Sequence, residues 1–178
     1  MGRGGRGPGD RGVHHLVVAF GNITDWPSSE DTAWVERLGT LADVAGRLGV
    51  RRVSLVPFAG VRPGAEPLEV VGFGSTVLVA DCSTDGRDRI VRAVARLRRG
   101  RRVSERRLSR ALVGRDGEPD LVIVCGDGTR LPSNLVWELA YSEIVFVDVD
   151  FDGFGARHIE EAVDEFRRRN RRFGGVDQ

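Results

Sequence analysis

The amino-acid sequence predicts one α/β domain built on a mostly parallel central sheet with helices on both faces. Runs of consecutive apolar residues, such as LVVAF at 16–20 and LVIVC at 121–125, have the length and composition of strands buried on both sides. Longer segments with apolar residues at helical spacing lie between these runs. Such alternation over 178 residues is typical of a single domain with a parallel sheet.

The amino-terminal half is predicted to contain two strands, one helix and a long connection. The stretches HHLVVAF and VSLVPF are the two strands. Residues 30–48 between them predict a helix that Gly49 ends. Its inward face is expected to carry Trp34, Leu38, Leu41, Ala45 and Leu48. Residues 59–75 hold six glycines or prolines, which leaves room only for a loop or a short edge strand.

The second half is predicted to continue the alternation of strands and helices. TVLVAD, DLVIVCG and IVFVDV are predicted strands. Helices are predicted in GRDRIVRAVARLRR, in SERRLSRALV after the N-cap Ser104, in SNLVWELAYSE, and from Ala156 to Asn170. The inward residues expected on the first of these helices are Ile90, Val91, Val94 and Leu97, and on the last Ile159, Ala162, Val163 and Phe166.

Composition and charge exclude several classes of protein. The 27 basic residues, all arginine, are balanced by 26 acidic residues, and the net charge of +1 gives no general attraction to nucleic acid. No apolar run reaches the roughly 18 residues that span a bilayer. Cys82 and Cys125 are far apart in the sequence, as expected for reduced thiols. We therefore expect a cytoplasmic protein that does not bind nucleic acid.

Composition also divides the chain into three segments. Residues 1–12, rich in arginine and glycine, are expected to form a flexible tail. Residues 13–175 are expected to form the domain and residues 176–178 a short carboxyl-terminal tail. In a parallel α/β domain, ligands bind beyond the carboxyl ends of the strands. Those ends are predicted at residues 20–24, 58–60, 81–86 and 125–130.

Three stretches of the chain carry motifs of a known family. Residues 120–151 contain RLPSN and WELAYSE, residues 170–175 read NRRFGG, and residues 14–22 read HHLVVAFGN. These stretches resemble R-L-S-N, W-x-L-A-Y-x-E, the terminal R-R-F-G-G and H-V-A-I-I-M-D-G-N of the cis-prenyltransferases, the undecaprenyl diphosphate synthase family. The likeness is strongest in the last third of the chain.

The resemblance implies an enzyme fold and a set of site residues. The family's reaction joins isopentenyl diphosphate to an allylic diphosphate such as farnesyl diphosphate, with Mg²⁺, and houses the product in an apolar tunnel. An R-x-G motif of a partner subunit completes each active site, and Arg172 and Gly174 match that motif here. Glu143 matches a glutamate near the metal, and Arg130 and Asn22 match residual substrate-binding positions.

This chain departs from the family at the positions that carry catalysis. Phe20 replaces the aspartate of D-G-N, and a phenyl ring can neither ligate Mg²⁺ nor stabilise a leaving diphosphate. Val124 replaces the arginine that opens the glycine loop and Pro132 the serine of R-L-S-N, so Arg130 alone remains of the usual isopentenyl diphosphate contacts. Residues 59–75 stand where the family has the two helices that wall the tunnel. The resemblance therefore implies no catalytic residue in cis.

These departures favour a non-catalytic subunit of a heteromeric cis-prenyltransferase, in a heterodimer or a larger assembly. It would pair through residues 134–151, which resemble the family's dimer surface, and supply Arg172 and Gly174 to a catalytic partner. That partner would bind most of the Mg²⁺ site and both the isopentenyl and the allylic diphosphate. The subunit would be cytoplasmic, or peripheral to the membrane through the complex.

Two alternatives stay open at the level of the sequence. A stand-alone enzyme with altered prenyl diphosphate chemistry, or with diphosphate hydrolysis, would use Asp25, Asp127 or Cys125, with His14 as a candidate base. A non-enzymatic diphosphate-binding or regulatory module would keep the fold and a weak phosphate pocket.

Overall fold

The computed structural model describes most of the predicted domain. It covers residues 12–60, 68–82, 85–97, 102–114, 117–128, 130–150 and 152–173, with side chains as far as Arg169. The predicted tails at 1–12 and 176–178 lie outside the described residues, except for Gly12. Both tails therefore stay predictions.

The described strands form one six-stranded sheet in the order β3-β4-β2-β1-β5-β6. They are β1 His15–Ala19, β2 Arg52–Val56, β3 Leu68–Val71, β4 Val77–Ala80, β5 Leu121–Cys125 and β6 Glu143–Val147. All neighbouring strands pair in parallel except β3, which is antiparallel to β4 at one side of the sheet. The predicted fold class is confirmed.

Helices cover both faces of this sheet. The α-helices of the described residues are α1 Thr32–Arg47, α2 Gly86–Leu97, α3 Glu105–Val113 and α4 Ala156–Phe173. α1 and α4 pack on each other over one face, around a large apolar cluster that includes Leu16, Leu38 and Ile159. The opposite face holds a smaller cluster that includes Val17 and Val122, on the side of α2, and α3 packs against α2.

The apolar faces predicted for α1 and α4 are confirmed. The buried residues include Trp34, Leu38, Leu41 and Ala45 on α1 and Ile159, Ala162, Val163 and Phe166 on α4. Asp31 begins α1 by accepting a hydrogen bond from the Trp34 amide at 3.0 Å. In the connection that follows β2, the described residues form only the edge strand β3 and a 3-10 turn at Phe73–Ser75, as predicted. Residues 61–67 of that connection lie outside the described residues.

The orientation predicted for α2 is wrong at Val91, which is 65% exposed. The buried residues of this helix are Gly86 and Ala93. A Cβ atom added at Gly86 would lie 2.4 Å from the Ser133 carbonyl oxygen, so the helix approaches its neighbour through its smallest residue. This close approach rotates the helix and turns Val91 toward solvent, while Ile90, Val94 and Leu97 are half-buried.

The helix predicted in SNLVWELAYSE is also wrong. The segment forms two separate 3-10 turns, Ser133–Leu135 and Glu138–Ala140. The guanidinium of Arg89 donates to the Asn134 carbonyl oxygen at 2.5 Å, and that oxygen would accept from the Glu138 amide in an α-helix. The hydroxyl of Ser142 donates to the Glu138 carbonyl oxygen at 2.8 Å. The Arg89 guanidinium therefore engages a carbonyl group that the first turn of a continuous helix would use.

Two further details concern helix ends. Ser104 stands at the N-cap position of α3, as predicted, but its side chain makes no capping hydrogen bond. α4 continues to Phe173, past the predicted end at Asn170.

Of the helices that the structure describes, none is long and apolar enough to cross a membrane.

Candidate functional site

The candidate ligand positions lie at one edge of the sheet. All parallel strands end at this edge, which we call the carboxyl edge, and begin at the opposite one, the amino edge. The predicted positions 20–24, 58–60, 81–86 and 125–130 follow strands β1, β2, β4 and β5 and so meet at the carboxyl edge. Ser83, Thr84 and Thr129 of these segments lie outside the described residues.

Phe20, at the position of the family's aspartate, is 2% exposed and lies in an aromatic cluster. Its ring stacks on Trp26 with the ring centroids 5.1 Å apart, and on Phe154 with the centroids 6.1 Å apart. Trp34 lies 6.1 Å beyond Trp26, and His158 lies 5.5 Å beyond Phe154. This aromatic cluster joins the end of β1 to α1 and α4, and it leaves Phe20 no contact with solvent.

Polar contacts hold the aromatic cluster in place. The Trp26 indole donates to the Phe20 carbonyl oxygen at 3.4 Å. Arg37 lies 6.0 Å from the Trp34 ring centroid and donates to the Phe154 carbonyl oxygen at 2.8 Å. A guanidinium over an indole face is itself a favourable contact. The position that carries a metal-binding carboxylate in the family is therefore a well-packed part of the core here.

Several backbone amides after β1 already donate to acceptors within the protein. The amides of Phe20 and Ile23 donate to the carbonyl oxygens of Val56 and Ala59, at 3.1 and 3.0 Å. The amides of Thr24 and Asp25 donate to the side-chain and main-chain oxygens of Asn22, at 3.3 and 2.9 Å. Phosphate-binding loops need such amides unoccupied. These four amides are already used within the protein.

Asn22, predicted as a residual substrate-binding residue, is held by its neighbours. Its side-chain oxygen caps the 3-10 turn Ile23–Asp25. A Cβ atom added at Gly60 would lie 1.9 Å from that oxygen, and Gly60 has a φ of +97°. Asn22 therefore packs against a residue that only glycine fits, and its oxygen is turned toward its own backbone.

The loop after β5 keeps more of the expected character. Gly126 and Gly128 have positive φ angles of +108° and +71°. Arg130, predicted as a residual diphosphate contact, is exposed at the same edge of the sheet, while Val124 is buried in β5. Burial raises the pKa of the Cys125 thiol to about 12, so this thiol stays protonated at neutral pH and is a poor nucleophile.

Glu143 and the end of α4 lie at the amino edge instead. Glu143 begins β6, and its amide donates to the Asp120 carbonyl oxygen at 3.1 Å. Near the end of α4, Arg167 donates to the carbonyl oxygen of Leu48, the residue that follows α1, at 3.0 Å. Arg169 donates to the carbonyl oxygen of Ile144, next to Glu143, at 2.9 Å. Glu143 and the end of α4 therefore lie close to each other.

Arg172 of the predicted R-x-G motif belongs to this same region. Its backbone lies in the last turn of α4, while its side chain and Gly174 lie outside the described residues. The structure thus separates the predicted site residues into two groups. Phe20, Asn22 and Arg130 lie at the carboxyl edge, and Glu143 and the backbone of Arg172 lie at the amino edge.

Sequence reasoning missed a buried ion pair between α2 and the 3-10 turns. The Arg89 guanidinium lies 2.9 Å from the Glu138 carboxylate, whose side chain is 4% exposed. Arg89 also donates to the Leu112 carbonyl oxygen at 3.1 Å, and this bond joins α3 to the Arg89–Glu138 ion pair. The helical spacing of Arg89 between the small residues Gly86 and Ala93 was the one signal that could have placed it inward.

The chain's own residues do not fit Mg²⁺ at the family's metal position. The Phe20 side chain has no oxygen atom to offer the ion. Its ring is stacked on Trp26 and Phe154. Within the described ranges, no three His, Cys, Asp or Glu side chains group in a way that could hold a metal ion. A single carboxylate such as Glu143 is far short of the oxygen ligands that this ion takes.

Comparisons with known proteins agree with the motifs. A family model described as "Putative undecaprenyl diphosphate synthase" matches residues 74–174. Isoprenyl transferase of Brucella suis biovar 1 is 29% identical over 194 residues, which cover 97% of this chain and 76% of that protein. Isoprenyl transferase 2 of Bradyrhizobium diazoefficiens is 46% identical over 59 residues, which cover 33% of this chain and 23% of that protein. The chain thus spans only part of each of these relatives.

A solved structure shares the fold. The crystal structure of a probable undecaprenyl diphosphate synthase from Campylobacter jejuni superposes with a TM-score of 0.57 at 16% sequence identity. The superposition covers 92% of this chain and 99% of that chain. At this level of identity the likeness concerns the arrangement of strands and helices.

Proposed function

Since the chain belongs to the undecaprenyl diphosphate synthase family of prenyltransferases, we propose that it is a non-catalytic subunit of a heteromeric cis-prenyltransferase. In this proposal it completes the active site of a catalytic partner through Arg172 and Gly174. The complex forms cis-polyprenyl diphosphates in the cytoplasm, or at the membrane surface through the partner.

The observation that carries this proposal is the packing of the carboxyl edge. Phe20 is buried in the aromatic cluster, and four amides after β1 donate within the protein. A diphosphate there would have to displace stacked rings, and it would find neither a carboxylate-bound metal nor an open amide cradle. We infer that no condensation takes place in cis.

The direction of α4 supports action in trans. A helix of 18 residues is about 27 Å long. α4 begins beside Phe154, whose ring contacts Phe20, and it ends at the amino edge beside Ile144. Arg172 in its last turn is therefore a helix length away from the carboxyl edge of its own chain. A second molecule is the natural recipient of this arginine.

The surface near β6 supports pairing with a partner. Four large apolar residues of the segment 131–146 are more than half exposed: Leu131, Val136, Tyr141 and Phe146. β6 is also the last strand of the sheet, so its outer edge faces away from β5. Exposed apolar side chains beside a sheet edge are typical of a protein interface. This segment overlaps the predicted pairing region 134–151, of which Phe151 lies outside the described residues.

Under this proposal the partner supplies the chemistry that this chain has lost. Isopentenyl and allylic diphosphates bind in the partner, and the partner's carboxylate holds most of the Mg²⁺ site. Arg172 offers a planar guanidinium that can grip two diphosphate oxygens at once. Gly174 lets the backbone approach the same group closely.

The stand-alone enzyme is the weaker candidate. The buried Cys125 thiol is protonated at neutral pH, as its raised pKa of about 12 requires. Asp25 and Asp127 are exposed carboxylates at the carboxyl edge. Turnover by the purified chain alone, lost in Asp25→Asn or Asp127→Asn, would establish this candidate instead.

A diphosphate-binding regulatory module has one specific observation in its favour. Arg130 is exposed at the carboxyl edge, next to a loop with two left-handed glycines, Gly126 and Gly128. Calorimetric titration with isopentenyl diphosphate would test it directly. Binding by the isolated chain that is lost in Arg130→Ala would support this module.

The main experiment is co-expression with a complete homologue from the same source. We expect a co-purifying complex, seen by native mass spectrometry, that forms polyprenyl diphosphates. Arg172→Ala in this chain should lower the rate by about 100-fold, the scale of losing one preorganised contact to the transition-state charge. The matched control Arg168→Ala, an exposed arginine one turn earlier, should leave the rate unchanged. Absence of a complex, or full activity with Arg172→Ala, would contradict the proposal.

A further inference from the structure

Arginines are concentrated on α2, α3 and the segment that joins them. Residues 85–110 contain eleven arginines and three acidic residues, a net charge of +8 in a chain whose total is +1. The rest of the chain therefore carries −7. The balanced overall charge conceals a strong separation of charge between this helix pair and the remainder of the protein.

Most of these arginines face solvent. The exposed members with described side chains are Arg87, Arg92, Arg96, Arg102, Arg106 and Arg110, which we call the arginine face. Asp88 pairs with Arg92 and Glu105 stands at the start of α3, but three acidic residues offset only part of the charge of eleven arginines. Arg102, Arg106 and Arg110 are spaced four residues apart, so the last two lie one turn apart on the same side of α3.

An exposed apolar side chain lies within the arginine face. Val91 is 65% exposed and stands one helical turn after Arg87 and one residue before Arg92. Binding of a polyanion would leave the Val91 side chain in contact with water and so would not stabilise it. It is stabilised when it reaches the boundary between lipid head groups and acyl chains, where amphipathic helices with basic faces lie.

We propose that the arginine face docks this protein on an anionic lipid bilayer. Clusters of four to eight basic residues are attracted to anionic lipids, and each arginine near the membrane surface adds to that attraction. The proposed pairing surface near β6 is a separate surface, made by the segment 131–146. Membrane docking is therefore compatible with the heteromer and does not depend on it.

Nucleic acid fits the same surface less well. Residues 85–110 contain no Phe, Tyr or Trp, so they offer no ring on which a base could stack. α2 is tied to the body of the protein and α3 to α2, because Arg89 of α2 bonds to Asn134 and to Leu112 of α3. The exposed Val91 side chain would also gain no favourable contact from a phosphate backbone.

The surface beside α3 argues against a pocket for one head group. A shallow groove of about 420 Å³ includes Arg106 and Arg110, but Glu105 and Glu118 line it as well. The Ser109 hydroxyl donates to Glu118 at 2.8 Å and so is already engaged. Carboxylates in the groove repel a small anion. Binding should therefore follow the charge of the membrane and not the identity of its head groups.

Vesicle sedimentation with the purified full chain tests the proposal. We expect binding to mixed phosphatidylcholine and phosphatidylglycerol vesicles, with equal binding when phosphatidylserine replaces phosphatidylglycerol at the same charge. Binding should be lost on pure phosphatidylcholine and at about 1 M salt, where charges are screened beyond roughly 3 Å. No prenyl transfer is measured, so the result is independent of the proposed catalytic role.

Matched variants locate the binding surface. The triple variant Arg96→Gln, Arg106→Gln and Arg110→Gln should weaken binding roughly 100-fold. The control triple Arg47→Gln, Arg51→Gln and Arg168→Gln removes the same charge from exposed positions elsewhere and should bind nearly as well as the natural chain.

A second pair of variants tests the apolar contact. Val91→Ser should weaken vesicle binding about fivefold, because one valine side chain leaves the lipid boundary. Val71→Ser changes an equally exposed valine on β3, 63% exposed, and should have no effect. Absence of binding to anionic vesicles, equal losses in the two arginine triples, or binding to a DNA duplex without binding to vesicles would each overturn the proposal.

Discussion

The two edges of the sheet have opposite character. At the carboxyl edge, Phe20 is buried among aromatic rings and the backbone after β1 uses its amides internally. At the amino edge, Arg169 of α4 donates to the Ile144 carbonyl oxygen, next to Glu143, and both charged residues are half-buried. In one molecule, the end of β1 at the carboxyl edge is filled by aromatic packing, and charged residues of β6 and α4 lie near each other at the amino edge.

This difference shows how apolar packing can occupy a position where the family carries a carboxylate. The aromatic cluster stabilises the end of β1 against α1 and α4. Under the proposed function, the R-x-G sequence at residues 172–174 acts on another molecule.

The largest expected effect comes from restoring the family's carboxylate. Phe20→Asp removes a buried ring and buries a charge, and it should lower the free energy of unfolding by more than about 4 kcal/mol, with no gain of activity. Urea denaturation followed by circular dichroism measures this. Phe146→Asp, on a residue that is 51% exposed, should change stability by about 0.5 kcal/mol or less. A well-folded, active Phe20→Asp variant would break the comparison.

The next effect concerns the ion pair that joins α2 to the 3-10 turns. Arg89→Ala leaves the buried Glu138 carboxylate without its cation and should destabilise the protein by about 3 kcal/mol. Arg92→Ala removes the cation of an exposed pair with Asp88 and should cost about 0.5 kcal/mol or less. Equal unfolding midpoints for the two variants in urea would show that the Arg89 pair contributes little.

Two glycines compare the edges directly. Gly60 at the carboxyl edge and Gly49 after α1 both have positive φ angles, +97° and +86°. A Cβ atom meets the Asn22 side chain at Gly60 and meets nothing within 4 Å at Gly49. Gly60→Ala should therefore cost about 2 kcal/mol and Gly49→Ala about 1 kcal/mol, as measured by thermal unfolding. The reverse order would mean that the carboxyl edge is loosely packed.

The smallest effect is a pH dependence from Cys125. Its folded pKa of about 12 lies above the usual value of 9.0, so the unfolded chain loses a proton that the folded chain keeps. Stability from this thiol is fully present below pH 9.0 and falls between pH 9.0 and about 12. The loss should reach about 1 kcal/mol near pH 10. Cys125→Ala should remove this part of the pH slope, while Cys82→Ala should keep it.

The sequence predicted the elements that depend on local patterns. Strands such as β1 and β5 are continuous apolar runs, and α1 and α4 bury the stripes that their spacing predicted. The rotation of α2 and the break in the segment 133–143 were not predictable. The rotation depends on the close approach of Gly86 to Ser133, and the break depends on Arg89 reaching the Asn134 carbonyl oxygen; local spacing carries no information on either contact.

The candidate site was predicted in the same uneven way. The replacement of an aspartate by Phe20 was visible in the sequence, and its burial is confirmed. That Phe154 would close the ring stack was not visible, because it requires α4 to return across the sheet. The placement of Glu143 beside the end of α4 also follows from topology and not from any motif.

The most direct test is the rate of polyprenyl diphosphate formation by the isolated chain and by the same preparation after a complete homologue is added. Both assays contain farnesyl diphosphate, isopentenyl diphosphate and Mg²⁺. We expect no product from the isolated chain, and with the homologue a rate above that of the homologue alone. Elongation of farnesyl diphosphate by the isolated chain at an appreciable rate would contradict the inference that the aromatic packing around Phe20 prevents catalysis in cis.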